Sequence, residues 1–157
     1  MKNKLLISLL LLTWTAMPAI AGKEEEQQIK TRQSAYIFLG WNTNRIKSQV
    51  VDYPKTFNKD EVQAAANVIA AIANSGLGKL YGPGTDEGVG WKKTRLNPEF
   101  FQKQEEARKI AITFNQEANE LAKVAASGDI FAIKNQFGKL SESCKSCHDS
   151  FRLRESF

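Results

Sequence analysis

The chain has 157 residues, a length that suits one domain. Its formal charge of +5 comes from dispersed lysines and arginines, with no basic stripe interleaved with aromatics, which argues against a nucleic-acid partner. Two cysteines and one histidine are too few for a four-ligand structural zinc site.

Residues 1–21 read as a secretory signal peptide. Lys2 and Lys4 form a basic start, Leu5 to Leu12 is apolar apart from Ser8, and Ala19-Ile20-Ala21 is a small-x-small cleavage site. The apolar run is shorter than the roughly 20 residues a spanning helix needs, so a membrane anchor is the poorer reading. Cleavage after Ala21 is expected to leave residues 22–157 in the periplasm, with no membrane attachment. Losing Lys2 and Lys4 lowers the formal charge from +5 to +3.

Four long segments then carry helical periodicity. The first runs from about Glu24 to Val50. Its three leading acids suit a helix N-terminus, and Ile29, Gln33, Tyr36, Gly40, Thr43, Ile46 and Val50 recur at three- and four-residue steps. Tyr53-Pro54 ends it, because the residue before proline is pushed out of the α region. The second spans about Lys59 to Ser75. Asn58 is the expected N-cap with Glu61 as capping-box partner, and Val62, Ala65, Ala66, Ile69, Ile72 and Ala73 form the buried face. Gly76 and Gly78 are stop signals. The loop that follows, to Asn97, is long for a small domain; its Tyr81-Gly82-Pro83-Gly84-Thr85 turn chemistry predicts an ordered connection. The third helix is expected from Pro98, capped by Asn97, to about Ala126. Gly128 ends it and Asp129 caps the fourth. There Ile130, Ile133, Phe137, Leu140, Cys144 and Cys147 step by 3, 4, 3, 4, 3, a bundle seam that places both cysteines inward. Four helices and three connections predict an all-α, antiparallel four-helix bundle.

That last seam ends in Cys144-Lys145-Ser146-Cys147-His148. Cys-x-x-Cys-His is a c-type haem attachment motif: two thiols bond to the haem vinyl groups and the adjacent imidazole binds the iron. On a helix, residues three and four apart share a face, so all three side chains can present to one ring. A thioredoxin-type redox pair would normally follow a strand, and nothing here alternates with period two. The same residues limit the iron. The only methionines, Met1 and Met17, lie in the expected signal peptide, and His148 is the only histidine. Met/His ligation, which serves electron-transfer cytochromes, is therefore ruled out, as is bis-histidine ligation unless a second chain donates. Lysine is protonated near neutral pH, and a tyrosine phenol is neutral there. The expectation is five-coordinate, high-spin iron with an open distal face.

These residues resemble the cytochrome c′ family, the high-spin branch of class II c-type cytochromes. The marks are Ile29-Lys30-Thr31-Arg32-Gln33-Ser34, Tyr81-Gly82-Pro83-Gly84-Thr85, Pro98-Glu99-Phe100-Phe101, and Cys144-Lys145-Ser146-Cys147-His148-Asp149-Ser150-Phe151-Arg152. Together they cover essentially the whole chain after the signal peptide. The resemblance implies one haem c per chain, with Cys144 and Cys147 as thioether attachments and His148 as the axial iron ligand. It implies that Arg32 and Gln33 contact the haem propionates and that Thr85 and Asp86 approach the haem edge. Tyr36 matches the distal position, where many relatives carry an aliphatic residue and low-spin relatives a methionine ligand. A tyrosine there would gate small neutral ligands; a core aromatic is the alternative on spacing alone. Arg152, four residues after His148, would act on the proximal iron–histidine bond; a surface ion pair with Asp149 or Glu155 is the alternative. The function implied is binding of NO and CO rather than catalysis. The alternative is a periplasmic electron carrier with a redox partner protein. Family members commonly form homodimers through their first two helices, which the alanine-rich second helix and Trp41 would suit; internal packing of Trp41 is the alternative.

Overall fold

The computed structural model describes residues 22–154. The signal-peptide expectation and Glu155 lie outside them. The helices are α1 (Lys23–Lys47), α2 (Lys59–Ala73), the single turn α3 (Glu99–Gln102), α4 (Gln104–Ser127) and α5 (Ile130–Phe151). Helices α1, α2, α4 and α5 form the bundle.

The boundaries follow the expected chemistry with two exceptions. Asn58 caps α2 by accepting from the Glu61 amide at 3.1 Å. The Glu61 carboxylate does not return to close a capping box; it accepts from Gln49 Nε2 at 2.8 Å, while Gln49 Oε1 accepts from the Asn58 amide at 2.8 Å. Gln49 can reach both because α1 ends in a π-helical turn, Ser48–Asp52, which widens the last turn before Tyr53-Pro54. The second exception is the third expected helix, which is broken at Lys103. Its backbone (φ −110°, ψ 44°) leaves the helical region, and its carbonyl caps α4 by accepting from the Ala107 amide. The break leaves Phe100 stacked on Tyr81 at 4.8 Å and edge-on to Phe151 at 5.4 Å. Aromatic packing offsets the interrupted ladder. Gly128 (φ +76°) closes α4, and Asp129 caps α5 by accepting from the amides of Phe131 and Ala132.

Packing is sequential: α1 on α2, α2 on α4, α4 on α5. The first and last helices do not approach each other as closely. The end of α1 does meet α5 through the Ser48–Asp52 turn. There a continuous apolar core holds Ile46, Val50, Val62, Ile69, Leu121, Ile133, Phe137 and Leu140, with Ala65, Ala66, Ala118 and Ala125 allowing close helix approach. At the other end, α1 and α5 are bridged by the 76–97 loop and a smaller cluster: Leu96, Ala107 and Phe151, with Tyr81, Phe100, Phe101, Ile110 and Cys147 against them. No described helix is long and apolar enough to cross a membrane.

The buried line of α1 runs through Ile29, Arg32, Leu39, Asn42 and Ile46, offset from the line drawn through Gln33, Tyr36, Gly40 and Thr43. Two of its buried residues are polar, so apolar periodicity could not locate it. Ile37, Phe38 and Trp41 on the same helix are exposed, Trp41 by 55%.

Candidate functional site

Cys144, Cys147 and His148 lie on the C-terminal half of α5. The thiols are half-buried and not bonded to each other. Burial pushes both thiols above the ordinary range, so they are neutral S–H groups. Cys147 packs in the aromatic cluster, whereas the fully buried position expected for the seam goes to Ser143, Leu140 and Phe151. His148 is exposed, yet its imidazolium is disfavoured, first by burial and then by Arg152 and Arg95, with Asp149 opposing. The neutral imidazole has a free nitrogen lone pair, the form that binds metals.

Arg95 and Arg152 are brought beside the histidine by a short backbone pairing. The Leu153 amide donates to the Arg95 carbonyl at 2.8 Å, the Asn97 amide donates to the Phe151 carbonyl at 2.9 Å, and Leu96 and Arg152 form an antiparallel bridge. Asp149, one expected partner for Arg152, is instead paired with Lys145 one turn back along α5. The periodicity of α5 gave no signal for Arg95, since its placement depends on a loop strand over 50 residues earlier in the chain.

Across from α5, the middle of α1 presents Tyr36, whose phenol lies close enough to both cysteines to interact with them electrostatically. Its hydroxyl is 2.7 Å from that of Tyr81. Tyr36 is 39% exposed overall, yet burial is the largest influence raising its phenol above the ordinary range.

Arg32 and Gln33 do not point into open space. Arg32 is 5% exposed, and its guanidinium donates to Leu80 O (2.9 Å), Thr85 Oγ1 (3.1 Å), Thr85 O (2.9 Å) and Thr94 Oγ1 (3.1 Å). It also lies 4.5 Å from the Tyr81 ring centroid. Thr85 is fully buried and also donates to Gly82 O, closing the Gly-Pro-Gly turn, in which Gly84 needs φ +83°. Asp86 is half-buried and adds a favourable charge for Arg32. Gln33 accepts from the amides of Trp91 and Lys92 and donates to Lys92 O. All four residues expected at the haem rim thus belong to the lock that pins the 76–97 loop to α1, Arg32 holding it at Leu80, Thr85 and Thr94 and Gln33 at Trp91 and Lys92. Gly90 completes the lock: a Cβ there would lie 2.8 Å from the Lys30 amide nitrogen.

The donor set fits a covalently held haem. Two protonated thiols and a neutral imidazole share one helix face, and the half-buried Tyr81, Phe100 and Phe101, in the cluster with Cys147, offer aromatic surface to a flat macrocycle.

The comparisons agree with this arrangement. The family model described as Cytochrome C′ matches residues 27–152. A cytochrome c′ from Allochromatium vinosum is 53% identical over 134 residues, covering 85% of each chain. The solved structure of a cytochrome c′ with ligand-controlled dimer dissociation superposes with a TM-score of 0.79 at 53% identity, over 85% of this chain and 100% of that one. A nitric oxide complex of a cytochrome c prime mutant from Alcaligenes xylosoxidans shares the fold, with a TM-score of 0.74 at 24% identity, over 85% of this chain and 99% of that one. This chain belongs to the cytochrome c′ family.

Proposed function

We propose that this chain is an exported c-type haem protein that binds small neutral gases, NO and CO, and is not an enzyme. One observation carries the reading: a single strong axial ligand is available. His148 is the only histidine, no methionine lies within 22–157, and the side chain facing the cysteines from α1 is Tyr36, a neutral phenol. Cys144 and Cys147 would hold the haem by adding S–H across its vinyl groups, and His148 would bind the iron. The haem supplies the iron and its affinity for diatomic ligands; the chain supplies ligation from one side and steric control from the other. With His148 as the one strong ligand the chain offers, a bound haem iron would be left with an open position for a diatomic ligand, five-coordinate and high-spin. The nitric oxide complex of a mutant of a cytochrome c prime with the same fold, from Alcaligenes xylosoxidans, is in keeping with the reading.

The remaining groups have supporting roles. Arg32 keeps a full positive charge at this end of the bundle, where it and Gln33 would face the haem carboxylates through the loop they hold. Thr85 and Asp86 fix that loop at the haem edge. Arg152, joined by Arg95, places positive charge beside His148 and would weaken its bond to a haem iron. The exposed Ile37, Phe38 and Trp41 on α1 form the apolar surface through which two copies would pair. Residues 1–21 would direct the chain to the periplasm.

The test is the absorption spectrum of the ferrous protein before and after NO and CO, with sedimentation in parallel. A high-spin ferrous spectrum that changes on adding either gas is expected, from a dimer. A low-spin, six-coordinate ferrous spectrum would overturn the reading and favour an electron carrier.

A further inference from the structure

We propose that Tyr81 is the latch of the Tyr36 gate: the hydrogen bond between the two phenols holds Tyr36 across the ligand side of the haem cleft, and a ligand enters only when that bond breaks. The proposal rests on the gas-binding reading and specifies what controls access.

The geometry distinguishes an anchor from a moving part. Tyr81 stands where the 76–97 loop leaves its short 3-10 turn, 45 residues from Tyr36 in sequence, and the two oxygens are 2.7 Å apart. The Tyr81 ring is held by stacking on Phe100 at 4.8 Å and by the Arg32 guanidinium at 4.5 Å. Phe100 in turn packs edge-on against Phe151 at the end of α5, and Arg32 is fixed by four hydrogen bonds. The anchor is therefore tied to the loop, to α1 and to the haem-bearing helix. Tyr36 is the looser member, at 39% exposure, with the phenol–phenol contact fixing its hydroxyl.

The chemistry gives the latch its selectivity. In the closed state each hydroxyl satisfies the other. Swinging Tyr36 aside leaves the hydroxyl of the half-buried Tyr81 to find another partner or go without. Burial also raises the Tyr81 phenol well above its ordinary range, so it stays a neutral hydroxyl near pH 7. NO and CO are weak hydrogen-bond acceptors and cannot replace the lost bond. The opening penalty thus falls on the association step. Tyr81→Phe removes the bond from the closed state and leaves no unpaired hydroxyl in the open one, while keeping the ring that packs on Phe100.

The experiment compares the haem-loaded wild type with Tyr81→Phe, Tyr36→Phe, the double Phe variant and Tyr36→Ala, using CO association rates after flash photolysis. The tyrosine bands in ultraviolet resonance Raman spectra report hydroxyl bonding directly. Tyr81→Phe should bind CO about three- to tenfold faster, which is about 0.7–1.4 kcal/mol of barrier, with its ferrous absorption spectrum unchanged. Tyr36→Phe should match it, and the double variant should be no faster than either single one, because both remove the same bond. The hydroxyl-sensitive bands should shift in Tyr81→Phe and shift alike when CO binds the wild type. A wild-type rate in Tyr81→Phe with a faster Tyr36→Ala would overturn the latch and leave the gate standing. Wild-type rates in both would overturn the gate as well.

Discussion

The two ends of this bundle use the same four helices for opposite purposes. Where α1 passes into its π-turn and α5 begins, Ile46, Val50, Val62, Ile69, Leu121, Ile133 and Leu140 are almost wholly removed from water. At the far end, the apolar cluster of Leu96, Ala107 and Phe151 is smaller and shares the interior with buried Arg32, Thr85 and Thr94, the thiols are half-buried, and the imidazole is exposed. Burial of apolar surface is the main stabilising term in folding, whereas buried polar groups need matched partners merely to avoid a penalty. The sealed end can therefore carry the stability that the site end forgoes. The polar lock around Arg32 keeps the site end rigid without closing it.

The sharpest way to separate the two ends is to remove the chemistry from one and the packing from the other. Replacing Cys144 and Cys147 together by serine should abolish covalently retained haem altogether, as read by the colour left in the protein after acidified organic extraction. Retention of haem in that variant would mean that the thiols are not the attachment points. Leu121→Ala, at the sealed end, should lower unfolding stability by about 2–5 kcal/mol, as is usual for a fully buried leucine. Urea titration measures the loss. The CO association rate should stay within about twofold of the wild type, on the reasoning that distant sites act independently. A large change in that rate would show that the two ends are coupled.

The same division explains what the sequence could and could not reveal. The sealed end is made of apolar residues at three- and four-residue steps, so its helices and most of its core can be read directly. The haem motif is equally local, because five adjacent residues carry the chemistry. The lock is not local. Arg32 meets Leu80, Thr85 and Thr94 across 48 to 62 residues, and its burial runs against the expectation for an arginine. A family resemblance could point to Arg32, Gln33, Thr85 and Asp86, but not to their joint hold on a loop. Tyr81 was visible only as part of a turn. Nothing in the spacing pairs it with Tyr36. Arg95 gave no signal, since a backbone bridge to the chain's last turn places it. The break at Lys103 escaped for a related reason: aromatic contacts with Tyr81 and Phe151 outweigh a continuous helical pattern.

Breaking the lock should give an intermediate effect. Arg32→Met keeps the length of the side chain but leaves the Leu80 carbonyl without its donor, while Thr85 and Thr94 still bond to each other and to Gly82. The expected loss is about 1–3 kcal/mol, the usual cost of a buried polar group left unpaired. It should be accompanied by faster proteolysis within residues 82–93. Gly90→Ala should loosen the same loop, because its Cβ would meet the α1 backbone. If the loop is as resistant as in the wild type in both variants, Arg32 is not its anchor.

The smallest expected effect is confined to alkaline solution and is specific to the site end. Burial raises the Tyr81 and Tyr36 phenols in the folded chain, while in the unfolded chain a phenol titrates at about pH 10. Below that value both states hold the proton and the pair contributes no pH dependence. Above it the unfolded chain releases protons first, so stability falls as pH rises, by up to about 1.4 kcal/mol per pH unit for Tyr81, until the folded phenol also ionises. Tyr36 adds less, because its partial exposure screens the effect. Urea unfolding between pH 9 and about 11.5 should therefore give a steeper decline for the wild type than for the Tyr36→Phe/Tyr81→Phe double variant. Leu121→Ala should lower the whole curve without changing its slope. Parallel curves for the wild type and the double phenylalanine variant would mean that the two phenols are no better protected from ionisation than in the unfolded chain. The distinction between a cleft-facing end and a sealed one would then lose its electrostatic support.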